Sequence, residues 1–373
     1  MNGTFRQLFL AASIAMAGVS LSAPAPIKRG PLIGGSPART ESAKPAAKKA
    51  KAATKPATEK PKAAAKPTKP QRVAEKRVAE KPKTAETPAR LSAAPRAPYR
   101  GAIAVDADTG RILFADNERT TAYPASITKL MTFLLVLEDV NTGAYKLNDR
   151  VVASALAASM EPSSVGLRAG QSMTVHDLLL SIMVKSANDA AEALAEHAAA
   201  KQLKGGKADP DELRAAFVER MNRKAQALGM RDTRYASPNG LPPPRGSKRG
   251  FDVSTAADLV KLGQAIVRSR QALEYTSRPQ CKVTDGSGKP LTLVNHNYFI
   301  PGNPDPKRLC TPVEGCDGLK TGYTAASGSS IMLTAERNRR RAIVVVLGSA
   351  GRHERERAAE NILRDALGAI SVW

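Results

Sequence analysis

From about residue 24 to residue 96 the chain is built of Ala, Lys, Pro, Thr and Glu with almost no large apolar residue, so any folded body must lie after it. A run such as SAKPAAKKAKAATKPATEKPKAAAKPTKP cannot bury enough surface to offset the entropy of ordering it. We expect residues 26–97 to be a disordered linker of extended, Pro-rich character. Of 373 residues, those from 98 to 373 then remain for the folded part, enough for a sizeable core.

Charge follows the same division. Of the formal net charge of +23, about two thirds falls in the first hundred residues, where 21 Lys and Arg face five Glu. Such a tail suits anionic envelope polymers or a membrane surface. A Lys/Ala/Pro composition also resembles tails that bind nucleic acid, but no aromatic residues interleave with the charges to stack bases. The plainer reading is a spacer kept extended by its own charge. Ahead of it, Arg6 precedes the short apolar run LFLAASIAMAGVSL and the small-residue stretch SLSAPA. That order predicts a cleaved secretory signal over residues 1–25 and an exported location, periplasm or cell envelope. An uncleaved anchor is the alternative, although the apolar run is short for a span. Nucleic acid is therefore not expected as a partner.

Within the folded part, GAIAVDADTGRILFADN alternates apolar residues around DADTG and predicts a hairpin over 101–117. SITKLMTFLLVLEDV is apolar nearly all round, which predicts a buried helix from Ser126 to about Val140. Thr174 followed by Asp177 predicts the capped start of another helix. Further helices are expected over NDAAEALAEHAAA, over DELRAAFVERMNRKAQALG as far as Gly229, and over 254–267. Then the pattern changes. GLKTGYT, GSSIMLTAE and RAIVVVLGS read as successive strands, and a last helix is expected at about 352–370. A leading hairpin, a helical middle and trailing strands imply an α/β sandwich. Its antiparallel sheet would bring the terminal strands together, with helices on both faces.

Three short motifs fall along this frame: Ser126-Ile-Thr-Lys129, Ser186-Ala-Asn188 and Lys320-Thr321-Gly322. Each alone recurs by chance, but the order and context give them meaning. Ser126 and Lys129 share a helix face, so the amine can reach the hydroxyl. A serine hydroxyl is a poor nucleophile until a neighbour takes its proton. Lysine does this when burial and a nearby cation lower its pKa, and Lys320 is placed to be that cation. Ser186 and Asn188 lie between helical runs, where one hydroxyl can relay a proton and one amide can both donate and accept. Gly322 at a strand edge admits an extended peptide, whose terminal carboxylate Lys320 and Thr321 can hold. Backbone N–H groups of Ser126 and Tyr323 would form an oxyanion hole. Plainer roles exist for all of them: a solvated lysine at a helix start, helix capping by Ser186 or Asn188, and a basic strand edge that resists aggregation.

Taken together, these residues resemble the penicillin-recognising serine D,D-peptidases, specifically the low-molecular-mass D-alanyl-D-alanine carboxypeptidases. PASITKLMT, LLLSIMVKSANDAAEALAEH, MNRKAQALGMRDTRYASPNGL, STAADLVKLGQAI and CDGLKTGYTAASG are similar to family blocks in family order, across about 98 to 370. The resemblance implies a β-lactamase/transpeptidase-like fold with an all-helical lobe. It implies Ser126 as acylated nucleophile, Lys129 as base, Ser186 as the third catalytic group, and substrate binding by Asn188, Lys320, Thr321, Gly322 and Tyr323. It further implies peptidoglycan stem peptides as substrate, β-lactams as covalent inhibitors, and no cofactor or metal. Two departures stand out. The chain stops at Trp373 without the β-rich domain and amphipathic helix many members carry, so the basic tail is expected to replace that attachment. Tyr323 also stands where some carboxypeptidases have His, which is expected to change rate or specificity.

Three other readings bear weighing. A D,D-endopeptidase would use the same acylation on cross-linked peptides. A class A β-lactamase needs a deacylating glutamate in an E-x-x-L-N run, and none occurs between Asn188 and Lys320; penicillin is therefore expected to be trapped. A catalytically weak peptidoglycan-binding scaffold is disfavoured by intact Ser126, Lys129 and Lys320. His176, His197 and His296 are expected to be structural, Asn239-Gly240 a loop turn. Of three cysteines, Cys310 and Cys316 are the preferred disulfide pair, with Cys281 left over; an unbonded set is the alternative.

Overall fold

The computed structural model describes residues 98–203 and 208–371. The signal and linker expectations therefore lie outside the described residues.

The leading hairpin forms as expected. Strand β1 (Gly101–Asp106) pairs antiparallel with β2 (Ile112–Asp116). Asp106 sets the turn, accepting through Oδ1 from the N–H groups of Asp108 and Thr109 at 3.1 and 3.0 Å. The helical middle begins with a 3-10 turn at Ala125–Thr128 that runs into α1 (Lys129–Asn141), whose residues from Lys129 to Leu137 are all buried. There follow β3 (Arg150–Val152), α2 (Ala155–Ala158), β4 (Ser172–Thr174) and α3 (Val175–Leu180). Thr174 caps α3 by accepting from the Asp177 N–H. A π-helical turn at Ser181–Lys185 leads to α4 (Asn188–Gln202) and α5 (Pro210–Ala227), the latter opened by a full capping box between Asp209 and Glu212. Helices α6 (Ala256–Val267) and α7 (Arg270–Thr276) finish the lobe.

Strands β5 (Gln280–Thr284) and β6 (Pro290–Val294) form a separate hairpin, and β3 pairs with β4 in another. Neither was expected. The β5–β6 hairpin carries a readable signal, alternating residues around Asp-Gly-Ser-Gly. β3 and β4 are three residues each, too short to show a period.

The trailing strands are β7 (Cys316–Thr324), β8 (Gly328–Arg337) and β9 (Arg340–Ser349), followed by α8 (Arg352–Ser371). They join the first hairpin in one antiparallel sheet of order β2-β1-β9-β8-β7, so the two ends of the folded part meet at β1 and β9. Alternation splits the sheet between two cores. Ile103, Val105, Met332, Ile343 and Val345 pack toward the helical lobe. Ala102, Ala104, Ile331, Leu333, Val344 and Val346 pack with Leu363 and Leu367 of α8. A strand buried on both faces has no polar phase, which is why β9 reads as an unbroken apolar run. The expected α/β architecture is the observed one, with helices on both faces of the antiparallel sheet, but the lobe is mainly rather than wholly helical, because the short β3–β4 pair lies within it.

The preferred Cys310–Cys316 pair is not formed; all three cysteines are free thiols. Cys316 is buried at the start of β7, and its Sγ donates to the Gly318 carbonyl at 3.6 Å. Burial pushes the Cys316 thiol up to about 12, leaving it inert.

Candidate active site

Ser126, the nucleophile expected from the sequence, sits on a strained turn. Ala125 has φ +50°, and Ser126 follows half-buried where the 3-10 turn meets α1. Two loops hold that turn. Gly240 (φ +84°) lies so close that an added Cβ would stand 2.0 Å from the Ala125 carbonyl oxygen. Asp252, fully buried on the loop before α6, accepts from Thr128 Oγ1 at 2.9 Å, and also from Ser237 Oγ and the N–H groups of Ala236 and Ser237. Four donors on one carboxylate fix the 236–240 loop against the base of the turn. Burial raises the Asp252 pKa, and these hydrogen bonds oppose the rise.

Lys129 is fully buried, and its Nζ reaches three oxygens: Ser126 Oγ at 3.0 Å, Asn188 Oδ1 at 2.7 Å and the Asn239 carbonyl at 2.6 Å. The second of these contacts joins the first motif to the second. The third was not foreseen, because Asn239-Gly240 read as a mere turn. Burial holds the Lys129 pKa well below the usual lysine range, and the Lys320 charge lowers it further; Asp252, Asp189 and Glu192 pull the other way.

Ser186 is buried and closes the π-helical turn in the left-handed conformation, φ +62°. That unusual backbone lifts the serine out of the helical path before α4 begins. The next residue but one, Asn188, is anchored by its N–H to the Ser163 carbonyl at 2.6 Å, with Oδ1 already held by Lys129. Its Nδ2 is thereby turned into the donor of the pair.

The third motif runs along the outer edge of the sheet, as β7 has β8 on one side only. Gly322 is the point of closest approach: an added Cβ would lie 2.7 Å from the Pro124 carbonyl oxygen and 3.3 Å from the Ser126 nitrogen. Lys320 is buried on this strand and donates to the Thr321 carbonyl at 3.0 Å. Burial lowers its pKa to about 7, with Arg355 adding to the effect. Lys320 thus adds to the burial that depresses Lys129, and Arg355 adds to the burial that depresses Lys320. Thr321 is buried beside it, and Tyr323 is 58% exposed at the rim.

All eight residues singled out in the sequence are accounted for. Ser126 and Asn188 are both bonded to Lys129, Lys320 acts on Lys129 electrostatically, and Gly322 abuts the turn that carries Ser126. Thr321 and Tyr323 flank Gly322 on the same strand, and Ser186 stands two residues from Asn188. Two of the histidines lie elsewhere: His176 Nδ1 is 2.6 Å from the Tyr275 hydroxyl, and His197 packs edge-on against Tyr145. His296 is held neutral, lowered to about 4 by burial and by the nearby Lys320. Sequence reasoning missed Asp252, Asn239 and Glu192. Glu192 carried a signal, an acid one helical turn from Asn188 in an otherwise Ala-rich helix.

A depression of about 920 Å³ lies between α5 and the 244–251 loop rather than at Ser126. Among the described residues no His, Cys, Asp and Glu cluster is arranged to hold a metal, and no helix is long and apolar enough to cross a membrane.

The family model described as D-alanyl-D-alanine carboxypeptidase matches residues 88–351. The D-alanyl-D-alanine carboxypeptidase DacF of Bacillus subtilis is 31% identical over 264 residues, covering 71% of this chain, and the chain spans 61% of that relative's length. A D-alanyl-D-alanine endopeptidase of Pseudomonas aeruginosa is 32% identical over 255 residues, 68% of this chain and 72% of that protein. In three dimensions the chain is similar to penicillin-binding protein D2 of Listeria monocytogenes in its ampicillin-bound form. The TM-score is 0.58 at 28% identity, over 73% of this chain and 98% of that one.

Proposed function

Because the chain belongs to the D-alanyl-D-alanine carboxypeptidase family, we propose that it is a serine peptidase that removes the terminal D-alanine of peptidoglycan stem peptides through an acyl-enzyme on Ser126. One observation carries this reading: a buried lysine amine bonded at once to the Ser126 hydroxyl, to Asn188 and to the Asn239 carbonyl.

Neutral Lys129 takes the Ser126 proton as Oγ attacks the penultimate D-Ala carbonyl. The developing oxyanion is held by the N–H groups of Ser126 and Tyr323. The substrate backbone lies along the β7 edge, against Gly322 and the Asn188 Nδ2 donor, with its terminal carboxylate on Lys320 and Thr321. Ser186 passes the proton from Lys129 to the departing amine. D-Alanine leaves as the C–N bond breaks, and water then cleaves the ester to free Ser126. Penicillin acylates the same hydroxyl and is released slowly, as the chain lacks the E-x-x-L-N glutamate.

In this proposal residues 98–373 are the catalytic domain, residues 1–25 direct export to the periplasm or envelope, and residues 26–97 form a basic spacer attracted to anionic envelope polymers or the membrane surface. The basic excess of the first hundred residues supports it.

A second reading has its own support in the endopeptidase relative: cleavage of D,D cross-links by the same acylation. Incubation with a stem pentapeptide and, separately, with a cross-linked dimer distinguishes the two. The main reading expects free D-alanine from the pentapeptide at the higher rate. Faster conversion of dimer to monomers supports the second, and no reaction with either substrate contradicts both.

A further inference from the structure

Helix α4 presents two buried polar residues one turn apart, Asn188 and Glu192, and both end at the Lys129 amine. Asn188 touches it directly. Glu192 does so through one intermediary: its Oε2 accepts from Asn239 Nδ2 at 2.9 Å, and the Asn239 carbonyl accepts from Lys129 Nζ at 2.6 Å. The other oxygen, Oε1, accepts from Arg214 Nε of α5 at 2.5 Å. Arg214 is exposed enough to reach the surface carboxylate Asp211 at 3.1 Å, and it lines the 920 Å³ groove with Asp211 and Arg249. Burial raises the Glu192 pKa, and the N–H donors on its two oxygens, Arg214 first, oppose that rise. An unbroken chain of hydrogen bonds runs from the outer groove to the amine.

We propose that Glu192 is a positioning residue for Lys129, acting through Asn239, and that Arg214 sets how much of the Glu192 negative charge reaches the amine. The inference rests on the reading of Lys129 as base, and adds to it a control point on a different wall of the lobe. Glu192 fixes the Asn239 carbonyl, and so the direction in which the amine points. Its charge also favours the protonated amine, so a paired Glu192 keeps Lys129 closer to neutral than a bare one would. The other charges facing Lys129 are Lys320, Asp252 and Asp189; those facing Glu192 are Arg214, Arg249, Asp211 and Glu196. Of these only Arg214 is bonded to the Glu192 carboxylate and also faces the outer groove. While Glu192 stays ionised, neutralising Glu192 and neutralising Arg214 therefore act on the amine in opposite directions. A merely structural role predicts no such opposition.

The test is an NMR titration of the full-length protein carrying ¹³C-labelled lysine, with the Lys129 signal identified by its loss in Lys129→Met. Glu192→Gln, which keeps an oxygen for Asn239, is expected to move the Lys129 midpoint to lower pH by about one unit. Arg214→Gln is expected to move it to higher pH by a similar amount, and Arg214→Lys to restore most of that shift. Shifts in the same direction, or unchanged midpoints in folded variants, overturn the proposal. Should Glu192→Gln fail to fold, the Arg214→Gln and Arg214→Lys pair decides alone. Rates of acylation by benzylpenicillin, measured alongside, separate this inference from the function it rests on. Opposed midpoints in a protein that penicillin does not acylate would uphold the coupling and remove the enzyme reading.

Discussion

Lys129 Nζ lies 3.0 Å from Ser126 Oγ, and of its three oxygen partners Ser126 alone has a proton to give. A protonated amine donates to all three. Once neutral, it keeps two N–H donors for Asn188 Oδ1 and the Asn239 carbonyl and turns its lone pair to the serine hydroxyl. On the proposed reading the contact geometry is the same before and after the amine acts as a base, and little has to reorganise for proton transfer.

The first prediction is that Lys129→Met separates activity from stability. Acylation by benzylpenicillin should fall about a thousandfold, the scale of a lost general base. Thermal melting should not fall and can rise, because a buried amine crowded by the Lys320 charge is replaced by an apolar chain of similar length. A melt well below wild type contradicts the view that Lys129 is held there against a desolvation cost.

Lys320 predicts a pH dependence. Burial lowers its pKa to about 7, and the carboxylate binding proposed for it needs the charged form. The kcat/KM profile should therefore fall on the alkaline side with a midpoint near 7, reporting the free enzyme. In Lys320→Arg that limb should vanish, as guanidinium stays charged. The stability contribution has a definite sign. Between about 7 and the unfolded value of 10.5 the unfolded chain holds a proton at this site that the folded one has lost. Stability from this group rises with pH through that window and is lowest below it. Urea titrations at several pH values with wild type and Lys320→Met check the slope.

Asp252 should be the most costly nearby substitution. Asp252→Ala strands four donors, three of them from Ala236 and Ser237, and frees the 236–240 loop from the nucleophile turn. A loss of about 3 kcal/mol in urea unfolding is expected, with acylation reduced as well. Loss of acylation with unchanged stability contradicts a bracing role.

Gly240→Ala tests the fit between that loop and the turn. The position has φ +84°, and the new methyl would meet the Ala125 carbonyl oxygen at 2.0 Å. Something must shift, and the nearest movable element is the turn that aims Ser126. Acylation should drop by at least about tenfold, with a destabilisation of about 1–3 kcal/mol. Wild-type acylation in this variant contradicts the close packing.

How far the sequence could be read depends on how local the cause was. Alternation around Asp-Ala-Asp-Thr-Gly, the apolar run after Lys129 and the Thr174–Asp177 cap are short-range signals, and each produced the expected element. The three motifs were legible because residues three apart on a helix, or adjacent on a strand, must share a neighbourhood. What stayed hidden was long-range. Asp252 meets Thr128 across 124 positions and Asn239 meets Lys129 across 110, and no periodicity announces either. The unformed Cys310–Cys316 pair shows the converse, since nearness in sequence did not bring the sulfurs together.

The most direct measurement is mass spectrometry of the intact protein after benzylpenicillin, followed by peptide mapping of the modified residue. The account predicts one long-lived adduct, located on the peptide holding Ser126 and absent from Ser126→Ala. An adduct elsewhere, equal labelling of Ser126→Ala, or no adduct on folded wild type would contradict it.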